Sequence, residues 1–126
     1  MTARIAKAGI PAKPEKRKLK GRVNAAHKDF IRSLPCLVCG APPRSECAHV
    51  RSSGDGGTGL KPHDKFSVPA CAKDHRRQHE IGELAFWGEA GIDPLDVALR
   101  LWTVSGDIAK GEAVVFKARQ RMELNR

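Results

Sequence analysis

Seven residues suited to metal binding or proton transfer crowd into one stretch. They are Cys36, Cys39, Cys47, His49, Cys71, His75 and His79, all within 44 residues. Cys36 and Cys39 form a Cys-x-x-Cys pair in the run CLVCG. Two thiolates at that spacing can chelate one tetrahedral zinc, and Cys71 supplies a third ligand. Gly40, directly after the pair, lets the backbone turn so that its amides face bound sulfur. Thiol redox chemistry also uses Cys-x-x-Cys, but there the pair sits at a helix N-terminus. The residues that follow here, APPR, open no helix. A structural zinc is therefore expected. His75 and His79 are four apart, so on a helix they share one face and aim two imidazoles at one point.

The elements that must position these groups can be read from periodicity. The run SECAHVR, Ser45 to Arg51, reads as a short strand with Cys47, His49 and Arg51 on one face and Ala48 and Val50 on the other. The loop SSGDGGTGLKPHD follows, permissive and mobile through Gly54, Gly56, Gly57 and Gly59. It is either a plain connector or a close approach to a phosphate, and it is not a Walker A loop, which needs Gly-Lys-Ser/Thr opening a helix. Lys65 to Val68 suits a return strand ended by Pro69. From Cys71 one helix is predicted to run to a stop at Gly91, packing Ile81, Leu84 and Ala85, with Phe86 on the histidine side. A helix from Asn24 to Ser33 precedes the cysteine pair, capped by Asn24, with Ala26, Phe30, Ile31 and Leu34 as its apolar stripe. After the histidines, Asp93 and Pro94 begin a helix whose apolar face is Val97, Ala98, Leu101 and Trp102. Gly106 breaks it. A last helix, Gly111 to Glu123, buries Val114, Val115, Ala118 and Met122. This C-terminal third holds no His or Cys and reads as scaffold.

A chain of 126 residues suits one domain with a small core, which a structural metal would help. There is no tyrosine and there are few other aromatics. The N-terminal residues lack the apolar run of a signal peptide and no later stretch suits a membrane span, so an intracellular, reducing location is expected. The net charge of +9 is uneven. Residues 1–32 hold ten Lys or Arg against Glu15 and Asp29, a balance of +8, which leaves +1 for the other 94 residues. Residues 1–22 are expected to form a disordered basic arm and residues 23–126 a single domain. Such an arm suits a polyanion, and nucleic acid rather than membrane because no apolar helical face accompanies the charge. Lys16, Arg17, Lys18 and Lys20 are its candidate phosphate contacts.

Strand, loop, strand and helix, with a Cys-x-x-Cys before and a cysteine at the helix start, resemble the zinc-stapled branch of the HNH, or ββα-metal, endonucleases. The run AHVRSSGDGGTGLKPHDKFSVPACAKDHRRQHEIGELAFW is similar to phage- and prophage-encoded recombination-enhancement nucleases and to uncharacterised HNH-like relatives. The resemblance covers roughly residues 34–90, and residues 92–124 would be helical support. It implies a helix-rich α+β fold around a small zinc-stapled ββα-metal core. It also implies a metal-dependent DNA endonuclease in the cytoplasm of a bacterial host, with DNA and a recombination protein such as a recombinase as partners and no membrane. Cys36, Cys39 and Cys71 would hold structural zinc, with Asp74, His75 or Cys47 as the fourth ligand. His49 matches the family's general base, His75 the helix ligand of a catalytic divalent ion, and His79 a further helix histidine. Asp64 is a candidate supporting carboxylate. The catalytic ion would be Mg²⁺, Mn²⁺ or another transition metal. Arg51, Lys61, Arg76 and Arg77 are candidate phosphate contacts. Ala48 stands where many HNH enzymes carry Asp or His, Asp74 where a second helix Cys or His is usual, and no asparagine occupies the middle position. Those departures suit the alternative, a non-catalytic zinc module that binds nucleic acid.

Overall fold

A computed structural model describes residues 22–55 and 61–124. The predicted arm, including Lys16, Arg17, Lys18 and Lys20, lies outside the described residues, as do Gly56, Gly57 and Gly59 of the glycine-rich loop. The described elements, in order, are α1 (Ala25–Arg32), β1 (Glu46–His49), a 3₁₀ turn (Arg51–Ser53), β2 (Ser67–Ala70), α2 (Ala72–Ile81), α3 (Glu83–Ala90), α4 (Pro94–Thr103) and α5 (Ile108–Leu124). The fold is therefore a small, helix-rich α+β arrangement around a two-stranded sheet. None of the described helices is long and apolar enough to cross a membrane.

β1 and β2 pair antiparallel, with Glu46 opposite Ala70, Cys47 opposite Pro69, Ala48 opposite Val68 and His49 opposite Ser67. The expected alternation holds on β1: Ala48 is buried, while Cys47 and His49 are part-exposed on the other face. The predicted return strand, however, sits two residues too early, and Pro69 lies inside β2 rather than ending it. A sheet of two strands has only edges, so the missing proline N–H breaks no second ladder. The Pro69 carbonyl still works, accepting the Leu37 N–H at 2.9 Å and tying the cysteine turn to the sheet.

The helix predicted from Cys71 to Gly91 is two helices. Gly82 adopts φ +95°, ψ 145°, a conformation that L side chains rarely adopt, and there the chain turns from α2 into α3. Phe86 consequently belongs to α3, where it is buried in the core rather than extending the histidine face. α1 begins with the Asn24 side chain accepting the His27 N–H, and α4 with Asp93 accepting from Leu95 and Asp96, as the capping residues predict. α5 starts three residues before the predicted Gly111, which instead lies within it.

The core gathers Ile31 and Leu34 from α1 and its C-terminal end, Val68 from β2, Phe86 and Trp87 from α3, Leu101 from α4, and Val115 and Met122 from α5. Ile31, Leu34 and Leu101 are fully buried, each contributing about 1.5–3 kcal/mol of hydrophobic stabilisation. α5 crosses α1 closely at Gly111, where a Cβ would lie 2.7 Å from Phe30 Cζ and 2.9 Å from Leu34 Cδ2. α4 packs on β2, so the C-terminal helices back the sheet and leave its other face to the site.

Candidate functional site

The first grouping is built by a turn and a helix start. Gly40, at φ +75°, closes the Cys36–Cys39 turn, with the Gly40 N–H donating to the Cys36 carbonyl at 2.9 Å. Cys71 caps α2, and Asp74 follows in the first turn. Cys36, Cys39, Cys71 and Asp74 each place one donor atom within 4.8 Å of the others. The Cys39 and Cys71 sulfurs are 3.8 Å apart, and Asp74 Oδ2 lies 3.4 Å from Cys36 Sγ and 3.3 Å from Cys71 Sγ. Tetrahedral zinc bonded to sulfur at about 2.3 Å and to oxygen at about 2.0 Å requires edges of about 3.8 and 3.5 Å. The donor set and its spacing therefore fit a metal ion. Of the three candidates for the fourth ligand, Asp74 is the one gathered here. His75 and Cys47 face elsewhere. Burial raises the Cys36 and Cys71 thiols above their ordinary range, so the unmetallated cluster favours protonated sulfur. The guanidinium of Arg119 on α5 lies against Gly40 and reaches the Val38 carbonyl.

The second grouping is a cleft of about 490 Å³ between α1, β1 and α2. His49, His75 and His79 line it together with Arg51 and Lys61. His49 Nε2 is 2.7 Å from Asp64 Oδ1, and Asp64 is only 4% exposed. The other carboxylate oxygen of Asp64 accepts the Asn24 N–H at 2.7 Å. Burial works to raise the Asp64 pKa, but the Asn24 amide and His49 outweigh it and hold the carboxyl below its usual range. Burial lowers the His49 pKa, and the Asp64 carboxylate opposes that shift only in part. A buried carboxylate thus orients a histidine that is neutral at pH 7. On α2, the His75 and His79 rings lie 4.8 Å apart between centroids.

Several cleft residues were not singled out from sequence. Lys28 and Arg32 reach it from α1, where their i, i+4 spacing was an available signal. Glu46 lines it and places Oε1 2.8 Å from His75 Nδ1. Glu83 also lines it and accepts the Arg51 and Ser52 N–H groups, each at 2.8 Å. Other candidates fall outside. Arg77 pairs with Glu89 across the α2–α3 bend, and Arg76 is exposed away from the cleft lining. Among the described residues, the cysteine–Asp74 set alone has its donor atoms gathered this closely. His75, His79 and Glu46 offer imidazole and carboxylate donors suited to a divalent ion, but along a wall rather than around a point.

Fold and site define a small α+β protein with a closed cysteine–aspartate cluster beside a cationic cleft lined by histidines. The chain belongs to the DUF968 family, described as a protein of unknown function, whose profile matches residues 12–100. It is also 36% identical over 57 residues to the "Uncharacterized protein YdfU" of Escherichia coli (strain K12). That match covers 45% of this chain and 16% of the relative, so the chain spans about a sixth of the relative's length. No solved structure matches.

Proposed function

We propose that the protein is a metal-dependent DNA endonuclease of the HNH type, with His49 as general base. The observation that carries this reading is the Asp64–His49 pair set into a cleft with Lys28, Arg32, Arg51 and Lys61. The order β1, β2, α2, with the cysteine cluster holding the start of α2, supports it as a ββα-metal core. Asp64 engages Nε2 of His49, which leaves Nδ1 to take a proton from water. Burial keeps that imidazole neutral at pH 7, with a nitrogen open to a proton. The four cations neutralise the phosphodiester and hold it across the histidine. A divalent ion held by His75 and His79 would supply positive charge to the leaving oxygen. Zinc at Cys36, Cys39, Cys71 and Asp74 would be structural.

The test is incubation of supercoiled plasmid and of single-stranded DNA with the protein and Mg²⁺ or Mn²⁺. His49→Ala, folded and zinc-loaded, is the control. Metal-dependent nicking lost in His49→Ala is the expected result. The second reading, a non-catalytic zinc module that binds nucleic acid, is favoured by the dispersed donors of the histidine wall. Equal DNA binding by both proteins with no cutting under any ion would establish it instead.

A further inference from the structure

The cleft contains a second carboxylate–imidazole pair, wired in the opposite sense to the first. Asp64 holds His49 by Nε2, whereas Glu46 holds His75 by Nδ1. The two histidines therefore present different ring nitrogens, Nδ1 from His49 and Nε2 from His75. Glu46 opens β1, and its register partner Ala70 directly precedes Cys71, the cap of α2. The same strand pairing that delivers Cys71 to the cysteine cluster thus brings Glu46 beside the first turn of α2. His75 is held from its own side as well, its N–H donating to the Cys71 carbonyl at 2.8 Å. Among the described residues, Glu46 pairs with His75 and with no Lys or Arg, so it is not one link of a surface ion network.

We propose that Glu46 is a positioning residue. It holds His75 as the Nδ1–H tautomer and so offers Nε2 as the ligand atom for a divalent cation in the cleft. A carboxylate behind a ligating histidine selects the tautomer, restrains the ring and raises the basicity of the other nitrogen. Without that acceptor, nothing in the cleft favours Nδ1–H, and a proton on Nε2 blocks the ligand position. The inference rests on the nuclease reading, which needs an ion near His75, but it concerns one carboxylate only.

The test uses the full chain with its cysteine cluster zinc-loaded, at a pH where histidine is neutral. Long-range ¹H–¹⁵N correlation spectra identify the His75 tautomer in wild type, Glu46→Gln and Glu46→Ala. The wild type should show Nδ1–H, Glu46→Gln should retain it through its amide oxygen, and Glu46→Ala should shift toward Nε2–H. Mn²⁺ titration followed by electron paramagnetic resonance should then find binding weakened about 10- to 100-fold in Glu46→Ala, with Glu46→Gln closer to wild type. Glu46 is half-exposed at the strand end, and circular dichroism checks that both variants fold. An unchanged tautomer in Glu46→Ala with normal Mn²⁺ binding overturns the inference and leaves the nuclease reading standing. Equal Mn²⁺ loss in both variants with no tautomer change also overturns it, making Glu46 a direct ligand. A wild-type chain that takes up no Mn²⁺ beside its zinc overturns the ion-dependent reading itself.

Discussion

The cysteine cluster and the histidine cleft share α2, yet they are built by different rules. In the cluster, four donors from the cysteine turn and the start of α2 lie within 4.8 Å of one another. In the cleft, His49 and His75 are each tied to a carboxylate, and both line a space of about 490 Å³. A closed donor set with short edges suits an ion that stays and holds the chain. An open one with oriented imidazoles suits groups that come, react and leave. Both groupings draw on a single helix, α2, which supplies Asp74 to the cluster and His75 and His79 to the cleft.

The sharpest way to break that contrast is to strip the zinc that the cluster is proposed to hold. Structural zinc contributes on the order of 10 kcal/mol, as much as the entire stability of a small domain. Chelation of the loaded protein, or Cys71→Ser, should therefore abolish cooperative thermal unfolding, read by circular dichroism. Survival of the fold would show that the C-terminal helices suffice. Next in size, His49→Ala should lower cleavage by about 10²- to 10⁴-fold with a small change in melting temperature. A large loss of stability would mean that His49 is scaffold. Asp64→Asn should cost about 10- to 100-fold in rate, as expected for a charge-assisted hydrogen bond. It should also move the acid limb of the pH–rate profile further below 6.5, because Asp64 raises the His49 pKa while burial lowers it.

A smaller effect tests whether acid sensitivity lies in the cleft or behind it. His27 is buried, with Nδ1 2.7 Å from Ser105 Oγ and Nε2 without a partner. Burial lowers its pKa below 6.5, with Asp64 opposing. The native state therefore takes up this proton at lower pH than the unfolded chain does, and stability falls as the pH drops below 6.5. Urea titrations should show a flatter pH dependence in His27→Gln than in wild type. The smallest effect sharpens the cleft side alone. Lys28→Gln with Arg32→Gln should reduce the salt slope of DNA binding by about 0.9 for each phosphate no longer neutralised and leave melting unchanged.

Much of this was legible in the residues because it depends on local pattern. The Cys-x-x-Cys turn, the caps at Asn24 and Asp93, and the alternation on β1 each follow from a few neighbouring positions. Sequence alone does not choose Asp74 over His75 or Cys47, because the choice is made by a few ångströms between α2 and the cysteine turn. Glu46 escaped because strand alternation puts it on the Ala48 side, and it reaches His75 only from the strand's open end. Arg77 pairs with Glu89 instead of lining the cleft, because the break at Gly82 turns α3 back toward it. That break was hidden in a run whose side chains otherwise favour one continuous helix.

Asp64 has a practical consequence for anyone shortening this protein. Its carboxylate takes the Asn24 amide, forty residues away in sequence, and its own N–H donates to the Arg22 carbonyl. The loop that orients His49 is thus stitched to the backbone just ahead of α1. A chain trimmed to begin at Arg22 keeps both stitches, whereas one trimmed to begin at Ala25 loses both while sparing every cysteine and every histidine. The N-terminal limit of a fragment that keeps the Asp64–His49 pair braced is therefore set by two main-chain groups rather than by any conspicuous side chain.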